Sequence, residues 1–194
     1  MTHAPIVHRS MHATQREARE VALTLAPEAD LSHAYQRGSV WTEDQRQALV
    51  RSWLIGLPIP SVIINNRGVD HSGWPKDAVG VPEGGHFYAV IDGKQRIEAA
   101  RAWFQGELLV PAKWFSDEDC EFIVHGANAG MASVSFNDLP ATARRVFSRR
   151  AMLPVVETAV GSLNEEAELY LLVNGAGTAQ TAADIANAEA VAHG

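Results

Sequence analysis

Cysteine is nearly absent from this sequence, since Cys120 is the only one among 194 residues. A single thiol excludes an internal disulfide and any zinc site built from four cysteines, and it suits a reducing compartment. The chain also lacks an apolar run approaching the roughly 18 residues of a membrane span, and its N-terminus lacks the apolar core of a signal peptide. We therefore expect a cytoplasmic protein that does not enter a membrane.

Basic residues are also scarce: 16 Lys and Arg stand against 23 Asp and Glu, for a net charge of −7 at pH 7. This balance argues against tight, nonspecific binding of nucleic acid, which needs a basic footprint. All the Lys and Arg residues nevertheless lie at or before Arg150, so they are available to a site built from the first three quarters of the chain.

Apolar periodicity predicts an alternation of strands and helices. Helices are predicted over 14–26, 43–55, 94–105, 137–150, 162–173 and beyond 181. Strands are predicted over 61–65, 86–91, 108–115, 152–158 and, as a hairpin, 121–124 with 131–136. This order predicts an α/β (α+β) fold, with a small mixed sheet, surrounding helices and an α-helical C-terminal part. We divide the chain into a tail and helix (1–30), a core (31–136) and a mainly helical extension packed on the core (137–194).

The centre of the chain combines a strand, a short turn and the start of a helix. The first N–H groups of a helix have no internal partner and its dipole is positive there, so such an end binds anions. Gly93 lets the backbone approach a ligand, Lys94 adds a positive charge and Arg96 can grip a phosphate. A structural alternative stays open, in which Asp92 and Gln95 form a capping box and Arg96 is solvated.

Three motifs precede this turn in order: Tyr-Gln-Arg at 35–37, Trp41 and Gly-Leu-Pro-Ile-Pro at 56–60. The turn itself carries Ile-Asp-Gly-x-Gln-Arg at 91–96. Together they resemble the N-terminal domain of GmrSD-type modification-dependent restriction enzymes. That family is marked by an Asp-Gly-Gln-Gln-Arg motif and looks like a branch of the ParB/sulfiredoxin fold. The similarity covers about residues 31–115, and Lys94 stands where the family commonly has Gln.

The resemblance implies nucleotide binding and Mg²⁺-dependent hydrolysis of a nucleoside triphosphate. Asp92 would hold the metal through water or orient the attacking water, and Gln95 would position that water or a phosphate oxygen. The nucleotide-binding residues would be Gln36, Arg37, Gly93, Lys94, Arg96 and, through a C-terminal Asn-Gly motif, Asn174. The alternative for Asn174 is a helix C-cap.

A nuclease half and a His-Asn-His constellation are not apparent in this sequence. The resemblance therefore implies that nucleotide turnover controls a separate partner, such as a nuclease, in phage defence. By the same analogy we expect a homodimer.

Two other functions are weighed against this one. In the first, the chain is itself a metal-dependent nuclease, with Asp92 and Lys94 joined by Asp70 or Asp77; Gly93 interrupts the alternation that such a site needs. In the second, the chain is a non-catalytic DNA- or protein-binding module. Its face would be Arg144, Arg145, Arg149 and Arg150, although such a cluster is also typical of a solvated helical face.

Overall fold

The computed structural model describes residues 11–31, 41–67, 86–115 and 133–175. The strands are β1 (Met11–Glu17), β2 (Ala29–Asp30), β3 (Val62–Asn66), β4 (Tyr88–Asp92), β5 (Val110–Pro111), β6 (Ser133–Val134) and β7 (Met152–Thr158). The α-helices are α1 (Ala18–Glu20), α2 (Glu43–Ile55), α3 (Lys94–Gln105), α4 (Ala141–Arg150) and α5 (Leu163–Gly175). A π-helical turn (Val21–Leu25) and three 3-10 turns (Ala26–Glu28, Ala112–Trp114 and Phe136–Asp138) complete the described structure.

The main sheet has five strands in the order β1-β7-β3-β4-β2. It is mixed: β1 is antiparallel to β7, β7 is parallel to β3, β3 is antiparallel to β4, and β4 is parallel to β2. Helices surround it, so the predicted fold class is confirmed. The sheet takes strands from the N-terminal, central and C-terminal parts of the chain.

Several predicted elements are confirmed with small shifts in their bounds. Helix α2 begins with the expected capping box between Thr42 and Gln45 and ends at Gly56. Helix α3 ends at Gly106, and β7 has the predicted bounds. No helix in the described residues is long and apolar enough to cross a membrane.

The predicted helix over 14–26 was wrong in its first part. Residues from Thr14 to Glu17 belong to β1, because their backbones pair with β7 from Val155 to Met152. Helical structure starts only at Ala18, whose N–H donates to the Ala151 carbonyl at 2.7 Å. Pairing with a strand far along the chain therefore overrides the local helical spacing.

Two other elements are shorter than predicted. The strand predicted over 108–115 is reduced to β5, because Pro111 cannot donate a ladder hydrogen bond and a 3-10 turn follows it. The helix predicted from 137 begins only at Ala141, because Ser135 and Asp138 close a capping box on a separate 3-10 turn. Strand β6 pairs with β5; residues 121–124 of the predicted hairpin, and the helix predicted beyond 181, lie outside the described residues.

Two hydrophobic layers cover the sheet. On one face, α2, α3, α4 and the 3-10 turn before α4 build an aromatic cluster, in which the ring centroids of Phe104 and Phe136 lie 5.1 Å apart. Its members are Trp53, Trp103, Phe104, Phe136 and Phe147. On the other face, Ala167 and Tyr170 of α5 pack with Ala89 and Ile91 of β4. Strand β4, which leads into the central turn, is therefore covered on both faces.

A buried ionic network ties α5 to the end of β3. Arg67 donates from Nε and Nη2 to the two carboxylate oxygens of Glu166, at 2.8 and 2.6 Å, and these side chains are 4% and 0% exposed. Asn65 donates to Glu166 at 2.6 Å, and Asp30 lies 3.6 Å from Arg67 Nη1. The sequence analysis missed this network, because its members are scattered along the chain and no spacing connects them.

Substitution Glu166→Ala is expected to destabilise the domain by about 3–5 kcal/mol, because it leaves the buried Arg67 without its bidentate partner. The measurement is urea denaturation followed by circular dichroism. Glu168→Ala is the matched control, since Glu168 is an exposed carboxylate on the same helix, and its effect should stay within about 0.5 kcal/mol. Equal effects of the two substitutions would show that the buried pair does not stabilise the fold.

Candidate functional site

The junction between β4 and α3 forces the backbone into an unusual conformation at Gly93. Its φ is 96° and its ψ is 10°, in the left-handed region. A Cβ at this position would lie 2.8 Å from Val62 Cγ2 and 3.0 Å from Val62 Cα on β3. Both the conformation and the close approach require glycine, which fixes the geometry of the turn between Asp92 and Lys94.

Among the described residues, the start of α3 has no side-chain cap, whereas the start of α2 has a capping box. Gly93 is the N-cap residue of α3 and provides no side-chain cap. The first hydrogen bond inside the helix runs from Ile97 N to Gly93 O, at 3.0 Å. The earlier N–H groups thus point out of the helix, at the positive end of its dipole.

The alternative in which Asp92 and Gln95 form a capping box is wrong, because Gly93 is the N-cap residue of α3. Gln95 Oε1 instead accepts a hydrogen bond from the backbone N–H of Trp41, at 3.2 Å. This bond ties the start of α3 to the segment just before α2. The side chain of Gln95 is therefore oriented by a group that the sequence did not reveal, because any residue at position 41 except proline offers a backbone N–H.

Arg96 is not solvated, contrary to the structural alternative. Its Nη2 donates to Asp92 Oδ2 at 2.5 Å and to the Ser61 carbonyl at 3.0 Å, and its side chain is only 15% exposed. Its Nε is buried and meets no acceptor among the described residues. The guanidinium is thus held in place by two groups and retains one inward-facing donor.

Lys94 supplies a second positive charge at the same helix start. It is partly exposed, and it makes no ion pair with any other residue that the structure describes. With Arg96 and Asp92, the turn carries two positive charges and one negative charge. Together with the helix dipole, this arrangement favours an anion such as a phosphate.

The four arginines of the predicted face do not all line the same surface. Arg144, Arg145 and Arg149 line an open cavity of about 410 Å³, together with Arg19 from α1. Arg150 instead lines two other cavities, both next to Trp53. The sequence analysis missed Arg19, because strand pairing between β1 and β7 brings it beside α4.

A comparison with protein families gives one match: "GmrSD restriction endonuclease, N-terminal domain" matches residues 28–191. This span contains the candidate site and every described element from β3 onwards. The chain belongs to this family. No curated protein and no solved structure matches the chain.

Membership confirms the resemblance inferred from the ordered motifs. It places the domain in the context of restriction systems, and so of defence against phage. Other predicted site residues of this GmrSD N-terminal domain cannot be placed: Gln36, Arg37, Asp70 and Asp77 lie outside the described residues.

Asn174 lies in the last turn of α5, where its Nδ2 donates to the Tyr170 carbonyl at 3.0 Å. Helix α5 starts beside Asn65, next to the Val160 backbone, and then packs along β4. Asn174 thus lies about one helical turn beyond Tyr170, which packs against β4.

The donor set suits Mg²⁺ only in company with a phosphate. Among the described residues, no three His, Cys, Asp or Glu side chains come together as a metal cluster. Mg²⁺ keeps several waters and is commonly bound by one or two carboxylates plus substrate phosphates. Asp92 at the mouth of the turn fits that role in a GmrSD N-terminal domain, whereas an all-protein metal site does not.

Substitution Gly93→Ala is expected to be more destabilising than Gly56→Ala, as measured by thermal and urea denaturation. Both positions are left-handed, with φ values of 96° and 72°, so each change should cost about 1–2 kcal/mol. Only Gly93 would also clash with Val62, which adds about 1–3 kcal/mol; Gly56 has no neighbour within 4 Å. Equal costs at both positions would contradict the close approach between Gly93 and β3.

Proposed function

We propose that this domain binds a nucleoside triphosphate at the start of α3 and hydrolyses it with Mg²⁺. In this proposal the domain acts with a separate partner, such as a nuclease. The observation that carries the proposal is the arrangement around Arg96. The guanidinium, held by Asp92 and the Ser61 carbonyl, lies at a helix start that no side chain of the described residues caps. Family membership supports the same assignment.

In this proposal the phosphates meet three kinds of donor. The outward N–H groups of α3 and the dipole bind one phosphate, as at other helix starts. Arg96 contributes charge-assisted hydrogen bonds, and Lys94 contributes a mobile point charge. Gly93 allows the backbone to approach the phosphate closely. Gln36, Arg37 and Asn174 remain proposed members of the pocket from the family motifs.

Hydrolysis would then depend on Asp92 and Gln95. A bound Mg²⁺ would neutralise charge on the phosphates, and Asp92 would hold it through its carboxylate or a water. Gln95 is held beside the turn by the hydrogen bond from the Trp41 N–H to its Oε1. From the family motif we assign it the role of orienting a water or a phosphate oxygen.

Substitution Arg96→Ala is expected to weaken nucleotide binding by about 10- to 100-fold, because it removes a charged hydrogen-bond donor. The measurement is isothermal titration of ATP, GTP, CTP and UTP, each with Mg²⁺, into folded protein. Arg101→Ala is the matched control, since Arg101 is a partly buried arginine on the same helix, away from its start, and it should leave affinity unchanged.

If folded wild-type protein binds none of the four nucleotides, the nucleotide assignment is overturned. An affinity that is unchanged in Arg96→Ala, or that falls equally in Arg101→Ala, would move the pocket away from the start of α3. Where binding is found, release of inorganic phosphate in wild type and in Gln95→Ala tests the hydrolytic part of the proposal separately.

A second function is favoured by the cavity between α1 and α4. Four arginines line it, namely Arg19, Arg144, Arg145 and Arg149, against one carboxylate, that of Glu17. None of the four forms an ion pair with another described residue. In a chain of net charge −7, such a local excess of guanidinium groups suits the phosphate backbone of DNA.

The double substitution Arg144→Ala and Arg145→Ala is expected to weaken binding to a DNA duplex and to flatten its salt dependence. Each lost phosphate contact should reduce the slope of log K against log salt by about 0.9. Fluorescence anisotropy at several salt concentrations gives both quantities. Arg150→Ala is the control, because this arginine is on the same helix but outside the cavity; equal weakening by Arg150→Ala, or no DNA binding at low salt, would contradict the assignment.

A further inference from the structure

The side chains of Asp92 and Arg96 form an ion pair, so each already binds a group that a ligand would have to replace. The distance between Arg96 Nη2 and Asp92 Oδ2 is 2.5 Å, and the two side chains are 15% and 32% exposed, respectively. The carboxylate that would serve a metal is thus engaged by the guanidinium that would serve a phosphate. A charged hydrogen bond in a partly buried position must be broken or shared before either group serves a ligand fully.

We propose that this ion pair makes the binding of nucleotide and of Mg²⁺ interdependent, an inference that rests on the proposed function. A phosphate that takes Arg96 releases Asp92, and a metal that takes Asp92 releases Arg96. The ion pair between Asp92 and Arg96 has to be broken only once for both ligands. The ligand that binds first provides the free energy for this, so the second binds more tightly. By linkage the effect is reciprocal, and couplings of this kind are typically about 5- to 150-fold in affinity.

The surrounding contacts indicate which partner moves. Arg96 keeps a second bond, from Nη2 to the Ser61 carbonyl at 3.0 Å, so its guanidinium stays in place when Asp92 leaves. Asp92 is the more exposed partner, and the backbone after it is fixed by the tight packing of Gly93 on Val62. Rotation of the Asp92 side chain alone is thus sufficient to separate the pair.

Nη2 of Arg96 is the atom that Asp92 shares with the backbone, since it donates to Asp92 Oδ2 and to the Ser61 carbonyl. A phosphate oxygen that replaces Asp92 at Nη2 leaves the bond to Ser61 intact. The pair with Asp92 is therefore the part of this arrangement that gives way on binding.

The test is isothermal titration of the nucleotide that wild type binds, once with Mg²⁺ and once with EDTA. Wild type should gain about 5- to 150-fold in affinity from Mg²⁺. Asp92→Asn should bind the metal-free nucleotide more tightly than wild type does, and it should gain little from Mg²⁺. Glu98→Gln is the matched control. It removes one negative charge from α3, the helix that carries Arg96, without removing a partner of Arg96.

The outcomes separate this inference from the proposed function. No nucleotide binding by folded wild type, with or without Mg²⁺, overturns the proposed function and this inference with it. Nucleotide binding in which Asp92→Asn retains the Mg²⁺ gain, or matches Glu98→Gln in EDTA, overturns this inference alone. Circular dichroism confirms folding of each variant, and Asp92→Ser replaces Asp92→Asn in the same titrations if the latter does not fold.

Discussion

The contact between Gly93 and Val62 is the constraint on which the candidate site depends. It allows the end of β4 to pass close to β3, with only 2.8 Å between an ideal Cβ and Val62 Cγ2. This close passage lets the Ser61 carbonyl, just before β3, reach Arg96 on the first turn of α3. The position of the guanidinium is therefore set by the Ser61 carbonyl, just before β3, and the Asp92 carboxylate at the end of β4. A larger residue at position 93 would separate these two groups.

Helix α3 connects the two candidate ligand sites. Its 12 residues span about 18 Å, from the turn at Asp92 to the aromatic cluster around Trp103 and Phe104. There, Asn137 donates to the Gln105 carbonyl at 3.2 Å, and Phe136 lines the cavity of the four arginines. Packed side chains therefore run from α3 to this cavity, through the contact of Phe104 with Phe136.

The central turn was predictable from sequence because its signals are local. A β-rich run, the Asp-Gly pair, a change to helical spacing and a terminal Gly106 define β4 and α3 almost to the residue, as does the capping box for α2. The bounds failed where distant pairing or proline decided them, as at β1 and β5. Local periodicity has no access to partners that lie more than a hundred residues away.

The same reasoning explains which parts of the candidate site could be predicted from the sequence. Side chains with a characteristic chemistry, such as Lys94 and Arg96, are visible in sequence, and their grouping follows from the turn. The Trp41 N–H and the Ser61 carbonyl are backbone groups, which almost every residue has, so the sequence does not single them out. Arg19 lies beside α4 because β1, the strand before it, pairs with β7. Contacts of these kinds emerge from tertiary structure, so the orientation of Gln95 and the pairing of Arg96 could not be derived from spacing.

The buried network at the opposite end of β3 completes the support of the site. Isolated buried ion pairs add little net stability, but a bidentate pair with further hydrogen bonds fixes one geometry among many. Here Arg67 and Asn65 both bind Glu166, which sets the rotation and starting point of α5. Helix α5 then packs against β4. The network therefore helps to fix how α5 covers the strand that leads into the candidate site.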